Sequence, residues 1–416
     1  MSTSTARHLF EAFGVELEYM IVDADTLAVL PITDQVLHAV AGEIVSDIEH
    51  GNITWSNELA LHVIELKTTD PAAKVGPLPA WFQEQIGRIN TALEPFGGRL
   101  MPTAMHPWMN PDREMRLWPH DNSPIYAAFD RIFNCSGHGW ANLQSVHLNL
   151  PFADDDEFGR LHAAIRLLLP LLPALAASSP LVEGNLSGLA DTRLDVYRTN
   201  SRRIPSIAGR VIPEPVYVRA EYERDILGRI YADVAPFDPD RVLQHEWLNA
   251  RGAIARFERN TIEIRVLDVQ ECPQADLAIC AAAVGVLKEL VAERWQPHAK
   301  QMEFPTEALE HVLLATIRDA ERAVIRDAAY LRQFGFTSGV ECTAGELWRH
   351  LLDSTSRAPE LQAAGFRATL KIILEQGPLS RRIVVALGAD PSKKRLAEVY
   401  GELCECLSAG RMFVPA

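Results

Sequence analysis

The run Phe13-Gly-Val-Glu-Leu-Glu-Tyr-Met-Ile-Val22 places two carboxylates, Glu16 and Glu18, two residues apart. Val15, Leu17, Tyr19 and Ile21 alternate with Glu16, Glu18 and Met20, a period of two that predicts a β-strand. Such a strand puts both glutamates on one face and the apolar set on the other. Adjacent carboxylates on a rigid strand repel each other unless a cation sits between them. Hard divalent ions such as Mg²⁺ take oxygen ligands of this kind, usually shared with phosphate oxygens. Taken alone, the pair reads most simply as a charged, solvent-facing strand edge, so the remaining strands decide its meaning.

Three further runs alternate in the same way. In Leu61–Lys67, Glu65 shares its face with Leu61, Val63 and Lys67, a costly place for a carboxylate without a partner or a metal. In Leu143–Leu150, Ser145, His147 and Asn149 stand against Val146, Leu148 and Leu150. In Thr261–Asp268, Glu263 and Arg265 stand opposite Ile262, Ile264 and Val266. A sheet with one wet face routinely shows any one of these patterns, and a single histidine is usually a satisfied, partly buried side chain. Together they carry Glu, His, Asn and Arg with none of the usual Lys–Thr–Ser filler. That predicts one concave sheet surface devoted to ions, with a ligand set suited to two or more Mg²⁺ or Mn²⁺. The absence of an H-E-x-x-H motif, a C-x-x-C pair and a P-loop argues against a zinc protease, a zinc finger and a Walker-type ATPase. The segment Asp191–Arg203, with Arg193, Arg198, Arg202 and Arg203, is the evident anion binder, because guanidinium groups clamp carboxylates and phosphates bidentately. A solvated basic loop is the simpler alternative.

The elements that must hold these groups follow from periodicity. Helical spacing covers Val36–Ile48, Leu78–Leu93 and Glu157–Ser178, the last kinked by Pro170 and Pro173. Met105–Pro124, rich in Pro, Trp, His and Asn, reads as an irregular active-site loop, and Leu181–Pro215 as loop. After Gln274 the pattern is almost wholly helical, over Asp276–Trp295, Glu307–Leu331, Ala344–Leu352 and Lys393–Leu407. The expected organisation is one catalytic domain over 1–416, with a sheet-bearing core at 10–290 and a helical part at 291–416 packed on it.

The 416 residues, 48% hydrophobic and 23% charged, suit a soluble globular chain with a large core. A formal net charge of −15 argues against a nucleic-acid or anionic-membrane partner. Six scattered cysteines point to a reducing cytoplasm. There is no apolar signal region near Met1, and the most apolar stretch, Leu167–Ala177, is too short to span a bilayer.

Five motifs in order resemble glutamate–cysteine ligase family 2, the carboxylate–amine ligases of the glutamine synthetase and guanidino kinase superfamily. They are Phe13–Asp23, His62-Val-Ile-Glu65-Leu-Lys-Thr68, Gln144-Ser-Val-His147-Leu-Asn149, Leu175–Pro180 followed by Gly184, Asp191, Arg193, Tyr197 and Arg198, and Thr261–Asp268. The resemblance spans about residues 10 to 290. It implies an α+β, glutamine synthetase-like catalytic fold: a curved, mainly antiparallel sheet whose concave face binds ATP and Mg²⁺, with helices packed outside. By carry-over, Glu16, Glu18, Glu65 and Glu263 are metal ligands. His147 and Asn149 contact ATP or its metal. Arg265 and Arg198 hold the γ-phosphate or a substrate carboxylate, with Arg202 and Arg193 as further candidates for the same contacts. Arg265, Arg198 and His147 are thus the catalytic candidates. The implied reaction activates a carboxylate, foremost the γ-carboxylate of glutamate, as an acyl phosphate that an amine such as cysteine's attacks. The implied partners are the small carboxylate and amine substrates, and the resemblance admits a homodimer. A kinase-like phosphotransferase on the same fold and a non-catalytic nucleotide- or glutamate-binding protein are the rival readings. Leu17 and Tyr19, where the family often carries glutamate or phenylalanine, depart from its pattern and bear on substrate identity.

Overall fold

The computed structural model describes residues 6–388 and 391–415. Its centre is an antiparallel sheet built from β1 (Gly14–Asp23), β2 (Asp47–His50), β3 (Ile53–Asn57), β4 (Val63–Thr68), β5 (Gly98–Met101) and β6 (Ser145–Pro151). A small hairpin, β7 (Leu181–Val182) and β8 (Asn185–Leu186), stands apart, and β9 (Ala253–Arg256) and β10 (Thr261–Asp268) complete the sheet. The strand order is β2-β3-β4-β1-β6-β10-β9, with β5 pairing the far end of β1.

Alternation explains why β1 is central. Val15, Leu17, Tyr19 and Ile21 are all fully buried, and their cluster includes residues of three helices. Helix Leu78–Leu93 buries Leu78, Phe82, Ile86, Ile89 and Leu93, one stripe at three-and-four spacing. Helix Pro273–Val291 is apolar nearly all round and is correspondingly buried on most sides; it packs on Leu78–Leu93 and on helix Asp155–Leu168. On the other side of β1, Met20 and Val22 join a second cluster with Leu396, Val399 and Leu403 of helix Lys393–Ala409. The C-terminal region is also tied by a fully buried ion pair between Arg382 and Glu271. Among the described residues, no helix is long and apolar enough to cross a membrane.

Strand β10 carries an irregularity that alternation does not foresee. Glu263 and Ile264 lie opposite Asn149 and Leu148, but Leu267 and Asp268 lie opposite Val146 and Ser145. One extra residue is thus accommodated between Ile264 and Leu267, a β-bulge. Asp268 therefore turns to the polar face, although strict alternation places it with Ile262, Ile264 and Val266.

Several boundaries differ from the sequence expectation. The helix expected to run to Ile48 is Thr33–Ala41, stopped by Gly42 at φ 82°, and Asp47–His50 is a strand. The expected helix Glu307–Leu331 is Thr306–Asp319, ended at Ala320 with φ 47°, followed by a separate turn of helix at Ala328–Gln333. Within the expected loop Leu181–Pro215 lies helix Thr192–Asn200, whose first turn is capped by Asp191 accepting from the Leu194 N–H. Met105–Pro124 is irregular as expected, but it is scaffold. Met105, His106, Met109 and Trp118 are buried, and His106 Nε2 bonds the Leu27 carbonyl at 2.8 Å.

Candidate active site

The register of four strands gathers the acidic face. Glu16 lies opposite Lys67 of β4 on one side and His147 of β6 on the other, and Glu18 lies opposite Glu65. Across β6, Asn149 lies opposite Glu263 of β10. Directly opposed residues of antiparallel strands share a face, with Cβ atoms ~5 Å apart. The cluster is thus a consequence of pairing, with no loop needed to build it.

His147 is the hub. Its Nδ1 lies 2.8 Å from Glu16 Oε2 and 3.8 Å from Glu263 Oε1. Its Nε2 lies 3.0 Å from Ser145 Oγ and 3.8 Å from Glu18 Oε1. Ser145 in turn donates its backbone N–H to Glu18 Oε2 at 2.6 Å, and Asn149 Nδ2 donates to Glu16 Oε1 at 3.2 Å. Glu263 is held between Arg256 Nη1 and Arg265 Nε, each at 3.1 Å, and Lys67 Nζ lies 3.3 Å from Glu65. Two ligand triads result, Glu16–His147–Glu263 and Glu18–Glu65–His147, each with its donor atoms within 4.8 Å of one another. Carboxylate-dominated triads with one imidazole have the donor chemistry that suits hard divalent ions, and the two triads share His147.

The electrostatics follow from carboxylates buried close to one another. Burial, and then the neighbouring charge of Glu16, push Glu65 up to about 7. Burial also opposes ionisation of Glu16, but the hydrogen bond and charge of His147 win and hold it down to about 2. His147 is raised in turn, its burial outweighed by its bond to Glu16. A further carboxyl, Glu58, is pushed well up by burial and by Glu65 and Glu18.

Two cavities open on either side of the cluster. The first, about 410 Å³, is lined by Glu18, Glu58, His147, Arg193, Tyr197 and Arg265 at its polar end. The second, about 520 Å³, is lined by Glu16, Lys67, Thr68, Asn149, Arg259 and Thr261. Arg193 is buried, with Nη1 3.3 Å from Asp268 Oδ1 and Nη2 donating to the Arg265 carbonyl at 2.8 Å. The bulge makes this possible by turning Asp268 toward Arg193.

The structure brings Glu16, Glu18, Glu65, His147, Asn149, Glu263 and Arg265 together, but not Arg198 or Arg202. Arg193 and Tyr197 are one helical turn apart and share the cavity face. Arg198, five residues beyond Arg193, is rotated about 140° away and pairs with Asp195 at 3.0 Å. Arg202 is exposed in the turn that follows. Glu58 had no sequence signal, since it lies just past the end of β3. Nor did the aromatic wall of the first cavity, formed by Tyr126, Phe129, Trp140 and Trp247; helix Ser123–Phe133 follows a Pro-rich segment and was not apparent from periodicity.

Comparison with known proteins supplies an independent line. A family model described as glutamate-cysteine ligase family 2 matches residues 12–400. The chain is 32% identical over 401 residues to an uncharacterized protein of Archaeoglobus fulgidus, covering 96% of this chain and 100% of that one. It is 27% identical over 305 residues to a putative glutamate–cysteine ligase 2 of Rhodospirillum rubrum, covering 69% of each. Among solved structures it is similar in fold to a glutamate–cysteine ligase of Francisella tularensis, determined in complex with AMP. The TM-score is 0.58 at 12% identity, covering 94% of this chain and 88% of that one.

Proposed function

The chain belongs to glutamate–cysteine ligase family 2, and on that premise we propose that it is an ATP- and Mg²⁺-dependent carboxylate–amine ligase. In this reading it joins the γ-carboxylate of glutamate to an amine through an acyl phosphate. The observation that carries the proposal is the pair of carboxylate triads sharing His147, set between two cavities of different charge character. The second cavity, with Lys67, Arg259, Asn149 and Thr261, suits a polyphosphate. The first, holding Glu18 and Glu58 beside Arg193 and Arg265, suits a zwitterion or an acid and an amine together.

Glu16 and Glu263, and Glu18 and Glu65, each with His147, are the residues that would hold the metal ions. When bound, Mg²⁺ neutralises the charge of the transferring phosphoryl group and polarises its oxygens. Arg265, half-buried and held charged by Tyr197, Glu263, Glu18 and Glu16 against the cost of desolvation, supplies a fixed positive charge at the junction. Arg193, braced by Asp268, supplies a second toward the acid or its carboxyl terminus. Glu58 is placed to receive the proton that the attacking ammonium must lose. We read residues 1–416 as one catalytic unit, because one core cluster holds residues from Phe13 to Leu407 and the second joins Met20 and Val22 of β1 to the C-terminal helices. Six buried free cysteines support a cytoplasmic setting.

The test is incubation with ATP, Mg²⁺, glutamate and hydroxylamine, a small nucleophile that captures acyl phosphates as hydroxamates. Hydroxamate with stoichiometric ADP and phosphate is the expected result. ADP with a stable phosphorylated product would instead establish the phosphotransferase.

A further inference from the structure

The first cavity is larger and more apolar than a cysteine needs. Its volume of about 410 Å³ lies within the roughly 300–1,000 Å³ of sites that enclose drug-sized ligands. Beyond the polar end, its wall is made by Tyr126, Phe129, Trp140 and Trp247, with Leu59 and Ile125 between them. The four rings are only half-buried, and three of them meet at Phe129, which lies 5.1 Å from Trp140 and 5.9 Å from Trp247 between ring centroids. A patch of half-exposed aromatic rings inside a cavity marks a surface that a ligand covers. The polar end is itself incomplete. Arg193 Nε, Tyr197 Oη and Asn200 Oδ1 are buried without hydrogen-bond partners, and all three residues line this cavity. The cavity therefore offers carboxylates and cations at the metal cluster and a ring-sized apolar chamber away from it.

The other cavity sharpens the assignment. Three cations, Arg7, Lys67 and Arg259, line it against two carboxylates, Glu16 and Glu258, with no aromatic ring among the described residues, so it is the better match for a nucleotide's metal-bound phosphates and the aromatic chamber is left for the acceptor. We propose that the amine acceptor of this ligase is a primary amine bearing an aromatic ring, seated among Phe129, Trp140 and Trp247, and not cysteine. This rests on the ligase reading above. In the step itself, the amine nitrogen attacks the acyl-phosphate carbonyl, the C–N bond forms, and the C–O bond to phosphate breaks. Inorganic phosphate leaves, and the proton from nitrogen passes to a carboxylate at the polar end.

The experiment compares acceptors on the full chain with ATP, Mg²⁺ and glutamate: 2-phenylethylamine and phenylalanine against cysteine and alanine, with hydroxylamine as the reference nucleophile. An aromatic acceptor is expected to show kcat/KM at least tenfold above that of cysteine. Trp247→Ala is expected to lower the ratio of aromatic-amine to hydroxylamine kcat/KM at least tenfold, with Trp247→Phe restoring most of it. Amide formation with cysteine equal to or better than with the aromatic amines would overturn the inference and leave the ligase reading standing. So would a Trp247→Ala defect confined to the KM for ATP, since that would place the adenine in the chamber. No ADP and no hydroxamate with any nucleophile would remove the ligase reading, and this inference with it.

Discussion

Glu65 offers the most direct probe of whether the acidic face is built for cations. Its carboxyl is buried, 7% exposed, beside Glu16 and Glu18, and is raised from its ordinary 4.5 to about 7. At about 1.36 kcal/mol per pH unit, that displacement weighs about 3 kcal/mol against the ionised form. Without metal, about 0.9 of the Glu65 population should carry a proton at pH 6 and about 0.1 at pH 8. A divalent ion between Glu18 and Glu65 reverses the preference, because only the carboxylate is a ligand, so binding must expel that proton. Infrared difference spectroscopy reads this directly. The metal-free protein should show a protonated-carboxyl stretch titrating with a midpoint near 7. That component should be absent from Glu65→Gln and should be lost from wild type at pH 6 on saturation with Mg²⁺. A midpoint near 4.5, or a band that survives Mg²⁺, would refute the reasoning. Stability follows with a definite sign. The folded state holds this proton more tightly than the unfolded chain, so the metal-free protein loses stability as pH rises from about 4.5 to about 7. Glu16 acts oppositely: its contribution is present above 4.5 and is lost as pH falls toward about 2. Thermal melts with and without Mg²⁺ should therefore diverge most at and above pH 7.

Other perturbations separate the roles further. Glu263→Gln keeps the volume but removes a charge from one triad and from between Arg256 and Arg265; ADP formation should fall by at least about 100-fold while circular dichroism stays native. Wild-type turnover would refute its place as a ligand. Arg198→Ala should leave kcat/KM within about threefold and stability within about 0.5 kcal/mol, since the side chain pairs with Asp195 outside the cavity. A large loss of turnover would show that this helix reorients around substrate. Arg382→Ala leaves Glu271 charged and buried, and urea unfolding should show a loss of about 3–5 kcal/mol.

What could be read from the sequence divides along physical lines. Glu16, Glu18, Glu65, His147, Asn149 and Glu263 were legible because each sits in a run of alternating residues, and a period of two fixes which side chains share a face. Antiparallel pairing then had few ways to assemble those faces. The arginines were less legible. Asp191–Arg203 lacks an apolar stripe, so its helix was invisible, and with it the rotation that sends Arg193 inward and Arg198 outward. Glu58 lies one residue beyond a strand, where periodicity carries no information. The aromatic wall draws on Tyr126, Phe129, Trp140 and Trp247, which come from three separate helical turns. No local pattern links them, and only the fold brings them to one cavity, with Trp140 and Trp247 each within about 6 Å of Phe129. The Pro-punctuated stretch Met105–Pro124 misled in the opposite sense, because irregular backbone can be buried scaffold when its polar groups are satisfied internally, as at His106 and Asn142.

The bulge in β10 makes the strand a splice between two phases. Up to Ile264 the strand is in step with β6 for the carboxylate cluster, and from Leu267 it is in step for the Asp268–Arg193 brace. Removing the one extra residue would leave Glu263 opposite Asn149 and Asp268 opposite Ser145, whereas straightening the bulge with both residues kept would rotate Asp268 into the apolar layer and strand Arg193 without its counter-charge. A substitution elsewhere in the strand acts on one side chain, whereas loss of the bulge with its residue retained changes the phase of everything beyond it. An alignment to a relative lacking the extra residue can therefore superpose the carboxylate or the aspartate, but never both without a gap at this point.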